Sequence, residues 1–200
     1  MKRNIVIIFL ILSSFSLFSQ NLGLLGGSYS LGTSNTMFRN AESFPINEGI
    51  TGAGVFSMGI DYYYPINNWL SAESGLNYAY ESFSKKTVDL QNEQGFSTSN
   101  INVHLMTIPV GLRASFLKYG FVESGALLDL LYEPGIGSYF GFGAQFQSEY
   151  GLGLTISPMF KLHSLFPLNF NANSNRILER GIKIGLTYSI DYYLKNRKKK

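Results

Sequence analysis

The chain has 200 residues, 45% hydrophobic and 15% aromatic, with only 14% charged. A soluble domain carries about 25% charged residues, so the composition favours a barrel in lipid, with aromatics at the interfaces and many of its 21 glycines facing a crowded interior. The absence of cysteine excludes a disulfide scaffold, a thiolate metal site and a lipid anchor on cysteine, and the formal charge of +3 sits at the chain ends rather than in a basic patch suited to nucleic acid.

Lys2 and Arg3 precede an unbroken apolar run from Ile5 to Leu12 and a small-residue stretch from Ser13 to Ser19. This pattern predicts a secretory signal peptide over 1–19, cleaved after Ser19, with Ser16 as the alternative. The apolar run is shorter than the roughly 20 residues of a spanning helix, and no second run of that kind follows. Without Lys2 and Arg3 the charge is +1, and setting aside the tail cations Lys195, Arg197, Lys198, Lys199 and Lys200 leaves −4 over the rest. The expected organisation is a signal peptide over 1–19, a barrel over 20–194 and a basic periplasmic tail over 195–200.

After Gln20 a period of two takes over, the signature of strands whose successive side chains face opposite ways. Segment 22–31 puts Leu25, Tyr29 and Leu31 opposite Gly26, Ser28 and Ser30. Segment 54–64 alternates Phe56, Met58, Ile60, Tyr62 and Tyr64 with Ser57, Gly59, Asp61 and Tyr63. Segment 70–81 alternates Leu70, Ala72, Leu76, Tyr78 and Tyr80 with Glu73, Gly75, Asn77 and Glu81. Segment 103–116 sets Met106, Ile108, Val110, Leu112 and Phe116 against Thr107, Gly111 and Arg113. Segment 121–132 opposes Val122, Ala126, Leu128, Leu130 and Tyr132 to Glu123, Gly125 and Asp129, and segment 139–147 opposes Phe140, Phe142 and Phe146 to Gly141, Gly143 and Gln145. Segment 150–162 alternates Leu152, Leu154, Ile156, Phe160 and Leu162 with Gly153, Thr155, Ser157 and Lys161. Segment 181–193 alternates Ile182, Ile184, Leu186, Tyr188, Ile190 and Tyr192 with Lys183, Gly185, Thr187 and Asp191.

Within these segments Asp61, Glu73, Glu81, Arg113, Glu123, Asp129, Lys161, Lys183 and Asp191 fall on the face opposite the apolar one. That face is rich in Gly and Ser, whereas a water-facing surface would carry about 25–35% charged residues. The apolar face is therefore assigned to lipid. The connections 32–53, 82–102 and 163–180 are long, and 65–69, 117–120 and 148–149 are short. External loops are long and periplasmic turns short in outer-membrane barrels; 133–138 is a short connection in a long-loop position. The expected fold is an all-β, eight-stranded antiparallel up-and-down transmembrane barrel in the outer membrane of a Gram-negative bacterium. Pro109 and Pro158 lie inside segments and predict local bulges, because proline lacks the ladder donor.

LMTIPVGLRASF (Leu105 to Phe116), with its Ile108-Pro109 step, resembles the "L-x-I-P-L-x-L-x-Y" strand of the PorT-like outer-membrane β-barrel family of Bacteroidota. YGFVESGALLDLLY (Tyr119 to Tyr132), the Phe-Gly repeat around Phe142 and the closing GIKIGLTYSI (Gly181 to Ile190) are similar to that family too. The resemblance implies an outer-membrane barrel, usually without an assigned activity, with some relatives in a protein-secretion apparatus. Such barrels commonly end on an aromatic residue, whereas Tyr192 and Tyr193 here precede Leu194 and the basic tail.

The charges on the polar face are read as a salt-bridged plug filling a barrel too narrow for a pore. Asp61, Glu73, Arg113, Glu123 and Asp191 are placed in its periplasmic half, and Glu81, Asp129, Lys161 and Lys183 in an upper layer. Tyr62, Tyr64, Trp69, Tyr78, Tyr80, Tyr188 and Tyr192 are read as aromatic girdle, with Tyr63 grouped alongside Tyr62 and Tyr64. His104 and His163, the only histidines, map near the external rim as interfacial or loop residues. No catalytic, cofactor or metal-ligand motif is found. The expected role is structural or interactive, toward outer-membrane lipid and other envelope proteins through the external loops. Two alternatives are a transport or secretion component and a soluble lipocalin-like ligand-binding barrel with its apolar face inward.

Overall fold

Alternating strands that each find two neighbours can satisfy every ladder N–H and C=O only by closing into a ring. The computed structural model, which describes residues 23–38, 49–88, 96–132, 134–168 and 176–190, does so. The strands are β1 (Leu24–Phe38), β2 (Gly49–Pro65), β3 (Leu70–Val88), β4 (Phe96–Phe116), β5 (Gly120–Asp129), β6 (Gly135–Gln147), β7 (Leu152–Pro167) and β8 (Arg176–Ser189). Each is antiparallel to its sequence neighbour, and β1 closes the barrel on β8. The eight-stranded up-and-down fold expected from the periodicity is the fold observed. The segments expected to be a signal peptide and a basic tail, together with Asp191 and Tyr192, lie outside the described residues.

At one end the connections are tight. Asn67 Oδ1 accepts the N–H groups of Trp69 and Leu70 at 3.0 and 2.8 Å, an Asx-type cap that reverses the chain between β2 and β3. Leu117 (φ 54°) and Gly151 (φ 82°) take left-handed conformations in the other two turns. At the opposite end the strands run beyond the segments read from the sequence. β1 continues to Phe38, β3 to Val88 and β7 to Pro167, while β2, β4 and β8 begin at Gly49, Phe96 and Arg176. The predicted long loops shrink accordingly. Thr33, Asn100, Asn102 and Arg180 are exposed on these extensions. With polar residues outside, hydropathy loses its period of two there while the ladder persists. β5 is shorter than its segment, ending at Asp129, and β8 ends earlier than its segment, at Ser189.

The two faces have opposite chemistry. Along β7, Leu152, Leu154, Ile156 and Phe160 are exposed, while Gly153, Thr155, Ser157, Met159 and Lys161 are buried. Leu31, Ile60, Phe142 and Leu186 are likewise exposed on other strands. The interior is not only small and polar: Phe83, Val103, Leu105 and Ile177 pack with Ala79 in an apolar cluster, and Phe121, Leu127 and Tyr139 are also buried.

The bulges predicted at Pro109 and Pro158 are not formed. The β4 register runs unbroken through Pro109↔Leu127 toward β5, and the β7 register through Pro158↔Ile182 toward β8. Pairing lapses only toward β3 and β6, and resumes in the same register on the far side. Each proline thus points its missing donor at one neighbour and leaves the other ladder whole. The register shifts instead lie between Thr36 and Phe38, Gly52 and Gly54, and Ile136 and Ser138, toward the extended end.

Candidate functional site

Period-two burial carries Asp61, Glu73, Glu81, Arg113, Glu123, Asp129, Lys161 and Lys183 into the barrel, all strongly buried. Glu179, which the sequence reading left in a loop, joins them from β8. Six acids thus face three Lys or Arg cations among the described residues. They form two layers.

In the lower layer, nearer the tight turns, Lys183 is the hub. Its Nζ lies 3.3 Å from Asp61 Oδ2, 3.4 Å from Glu73 Oε1 and 3.5 Å from Glu123 Oε1. This corrects the assignment of Lys183 to the upper set: counting residues from a strand end ignores the tilt and stagger of a closed barrel. Ser28 Oγ donates to Asp61 Oδ2 at 2.7 Å, and Tyr139 OH donates to Glu73 Oε2 at 2.9 Å. To reach Glu73 from β6, the Tyr139 ring crosses Gly125 and Gly111, which pair across β4 and β5. A Cβ on Gly125 would come within 2.8 Å of Tyr139 Cε1, so glycine at these positions makes the floor on which the ring lies.

Arg113 is opposite Glu123 in register yet does not neutralise the acids. Its guanidinium carbon lies 4.7 Å from the Tyr63 ring centroid and 3.7 Å from that of Phe121, and Nη2 donates to Gln145 Oε1 at 2.8 Å. This aromatic–arginine–aromatic sandwich borders a cavity of about 680 Å³ at the turn end, lined by Ser71, Ser115 and Gln147 among others. Tyr63 is buried in the interior and so is not part of a girdle: its parity follows Asp61, not Tyr62 and Tyr64. Outside, Trp69, Tyr78 and Tyr80 are exposed, and Tyr62, Tyr64 and Tyr188 half-buried.

The upper layer contains Glu81, Asp129, Lys161, His163 and Glu179. His163 is buried in β7, not in a loop at the rim as the sequence reading had it. The reason is continued alternation: His163 stands two residues after Lys161 on the same face, and the β7–β8 register runs unbroken to His163↔Ile177. Ile136 pairs with Phe166 but Ser138 with Leu162, so β7 carries extra residues there, and Ser164 takes φ 50°. A bulge re-aims side chains, and here it turns Ser164 inward beside His163. Asp129 collects them: Oδ1 lies 2.8 Å from His163 Nδ1, and Oδ2 accepts the Ser164 N–H at 2.6 Å. Lys161 Nζ donates to Glu179 Oε1 and Oε2 at 2.9 and 3.1 Å, and His163 Nε2 lies 3.4 Å from Glu179 Oε2. Neither Glu81 carboxylate oxygen closes a hydrogen bond of ordinary geometry although the residue is fully buried. His104, by contrast, is exposed on the outer face, where Nδ1 lies 2.6 Å from Tyr78 OH and the ring meets Tyr80 edge-on. The sequence reading, which found no metal-ligand cluster, missed the grouping of Glu81, His163 and Glu179. Their alternating parity was the available signal, hidden where hydropathy ceases to alternate.

No protein-family model matches the chain, and comparison with curated proteins finds no match. Among solved structures, the outer membrane protein AlkL, determined by solid-state NMR in DMPC lipid bilayers, aligns over 86% of this chain and 92% of its own, with 12% identity and a TM-score of 0.40. The translocator domain of the autotransporter NalP from Neisseria meningitidis aligns over 94% of this chain and 96% of its own, with 8% identity and a TM-score of 0.36.

Proposed function

We propose that the protein is an integral outer-membrane β-barrel with a filled interior and no open pore, serving a structural or interaction role rather than a catalytic one. The observation that carries this reading is the inverted polarity of the barrel. Large apolar side chains such as Leu31, Ile60, Leu152 and Leu186 form its exposed face, and its acids and lysines are inside. Monomeric soluble proteins rarely expose contiguous apolar patches above a few hundred Å², whereas lipid favours such a face and excludes charge. The polar strand extensions beyond this face offer a wall and loops to other envelope proteins. Kinship with the PorT-like family of Bacteroidota, suggested by Leu105 to Phe116, is part of the same proposal.

The test expresses the full chain, extracts membranes in detergent and runs the protein on gels with and without boiling, then reconstitutes it in planar bilayers. The expected result is a boiling-dependent band shift, found only in detergent extracts, with no steady conductance. Release into water without a shift would overturn the lipid-facing assignment. A steady conductance would overturn the closed interior and favour a transport or secretion component.

A further inference from the structure

We propose that the upper layer of the barrel interior is a binding site for a divalent transition-metal ion, held by Glu81, His163 and Glu179. The proposal concerns the interior alone and does not depend on what meets the outer face.

One potential ligand atom from each of the three residues lies within 4.8 Å of those of the other two, and all three residues are buried. Buried carboxylates need partners, and Glu81 closes no hydrogen bond of ordinary geometry. It is fully buried, with neither oxygen in a hydrogen bond of ordinary geometry, and its carboxylate belongs to this cluster. The Ser34 hydroxyl reaches toward it in a loose contact without meeting hydrogen-bond geometry. A bound cation is the partner that this geometry calls for.

The histidine is held as a metal ligand would be. In metal sites the second ring nitrogen of a ligating histidine is commonly hydrogen-bonded to a carboxylate, which fixes the tautomer. Asp129 meets Nδ1 at 2.8 Å, a contact that in a metal-bound histidine would hold the Nδ1 proton and turn the Nε2 lone pair toward Glu179. Nε2 and Glu179 Oε2 are both acceptors in that tautomer and lie 3.4 Å apart, long for a hydrogen bond. With metal–ligand bonds of about 2.0–2.1 Å, the edge of a tetrahedron is roughly 3.3 Å, so the two atoms already stand near two of its corners. Charge agrees. With the imidazole neutral, as a metal ligand must be, Glu81, Asp129 and Glu179 against Lys161 leave two negative charges, which a dication cancels. One imidazole with two carboxylates and no thiolate suits Zn²⁺ and its first-row neighbours better than Ca²⁺ or Mg²⁺, which prefer all-oxygen shells.

The test refolds the untagged full chain in detergent with Zn²⁺ or with a chelator present, removes free metal, and measures bound metal by mass spectrometry. A parallel refolding uses Co²⁺, whose visible absorption reports coordination. The expected result is one Zn²⁺ per chain, retained against excess Mg²⁺, and Co²⁺ bands of a low-symmetry site. Glu81→Gln and His163→Gln each lose tenfold or more in affinity, Asp129→Asn loses about 10–100-fold, and Glu73→Gln in the lower layer binds as the parent does. The band shift on boiling shows which variants fold. Absence of stoichiometric Zn²⁺ in the parent chain, or binding kept within twofold by Glu81→Gln, overturns the proposal in favour of a proton shared between His163 and Glu179. If the variants do not fold, the Co²⁺ spectrum of the parent chain decides, and a spectrum equal to that of free hydrated Co²⁺ overturns it.

Discussion

Replacing Lys183 by methionine removes the cation that three buried acids share while keeping the length of the side chain. Nζ stands 3.3 to 3.5 Å from Asp61, Glu73 and Glu123, and all four side chains are at most 7% exposed. Removing one partner of a buried ion pair costs about 3–5 kcal/mol, because the charge left behind keeps its desolvation penalty. Three acids do not triple that cost, since a carboxyl group can take up a proton and relieve the others. The expected loss is therefore about 3–5 kcal/mol in total. Trp69, the single tryptophan, sits exposed in the β2–β3 turn and gives a fluorescence signal for denaturant unfolding in detergent micelles. The midpoint should fall with the slope unchanged, as for a stability change without a change of compactness. Adding Asp61→Asn and Glu123→Gln to Lys183→Met should recover most of the loss. A loss under about 1 kcal/mol, the level of an exposed ion pair, or a triple variant no more stable than the single one, would refute the hub role of Lys183.

Ile184 lies between Tyr29 and Ile156 in register, all three exposed on the outer face. Ile184→Lys should lower stability in phospholipid vesicles by about 2–4 kcal/mol; a change within about 0.5 kcal/mol, usual for a water-facing site, would count against lipid contact. Tyr139→Phe deletes the 2.9 Å hydrogen bond to Glu73 while its ring still covers Gly111 and Gly125. Equilibrium unfolding should register a loss of about 1.5–3 kcal/mol, the worth of a bond to a charged group, and an unchanged midpoint would remove Tyr139 from the network.

Strand number and facing are legible wherever one face is apolar. Leu152 to Lys161 reads at sight because each outward residue is large and each inward one is small, polar or flexible. Legibility ends where the outer face turns polar. β7 beyond Leu162 and β8 before Gly181 look like loops in the sequence, so neither His163 nor Glu179 reads there as an inward strand residue. Parity identifies which charges share a face, but not their partners. Lys183 reaches the lower acids through the stagger of the closed barrel, and Arg113 chooses two aromatic rings over the acid opposite it. The bulge at Ser164 has no composition signal, since left-handed serine is not distinguished by its neighbours. The prolines show the converse: a strong local rule predicts a bulge, and a ladder intact on the other side absorbs the missing donor.

The wiring of the lower layer also bears on how the barrel is made. No hairpin of neighbouring strands contains both Lys183 and one of its acids: β8 supplies the ammonium, while Asp61, Glu73 and Glu123 come from β2, β3 and β5. Lys183 and Glu73 are 110 residues apart in sequence, so no local loop closure brings them together early. Until the final strand seals against β1, the acids lack their cation and must stay hydrated. An assembling intermediate therefore keeps a wet lumen, and drying of the interior coincides with closure of the β1–β8 seam.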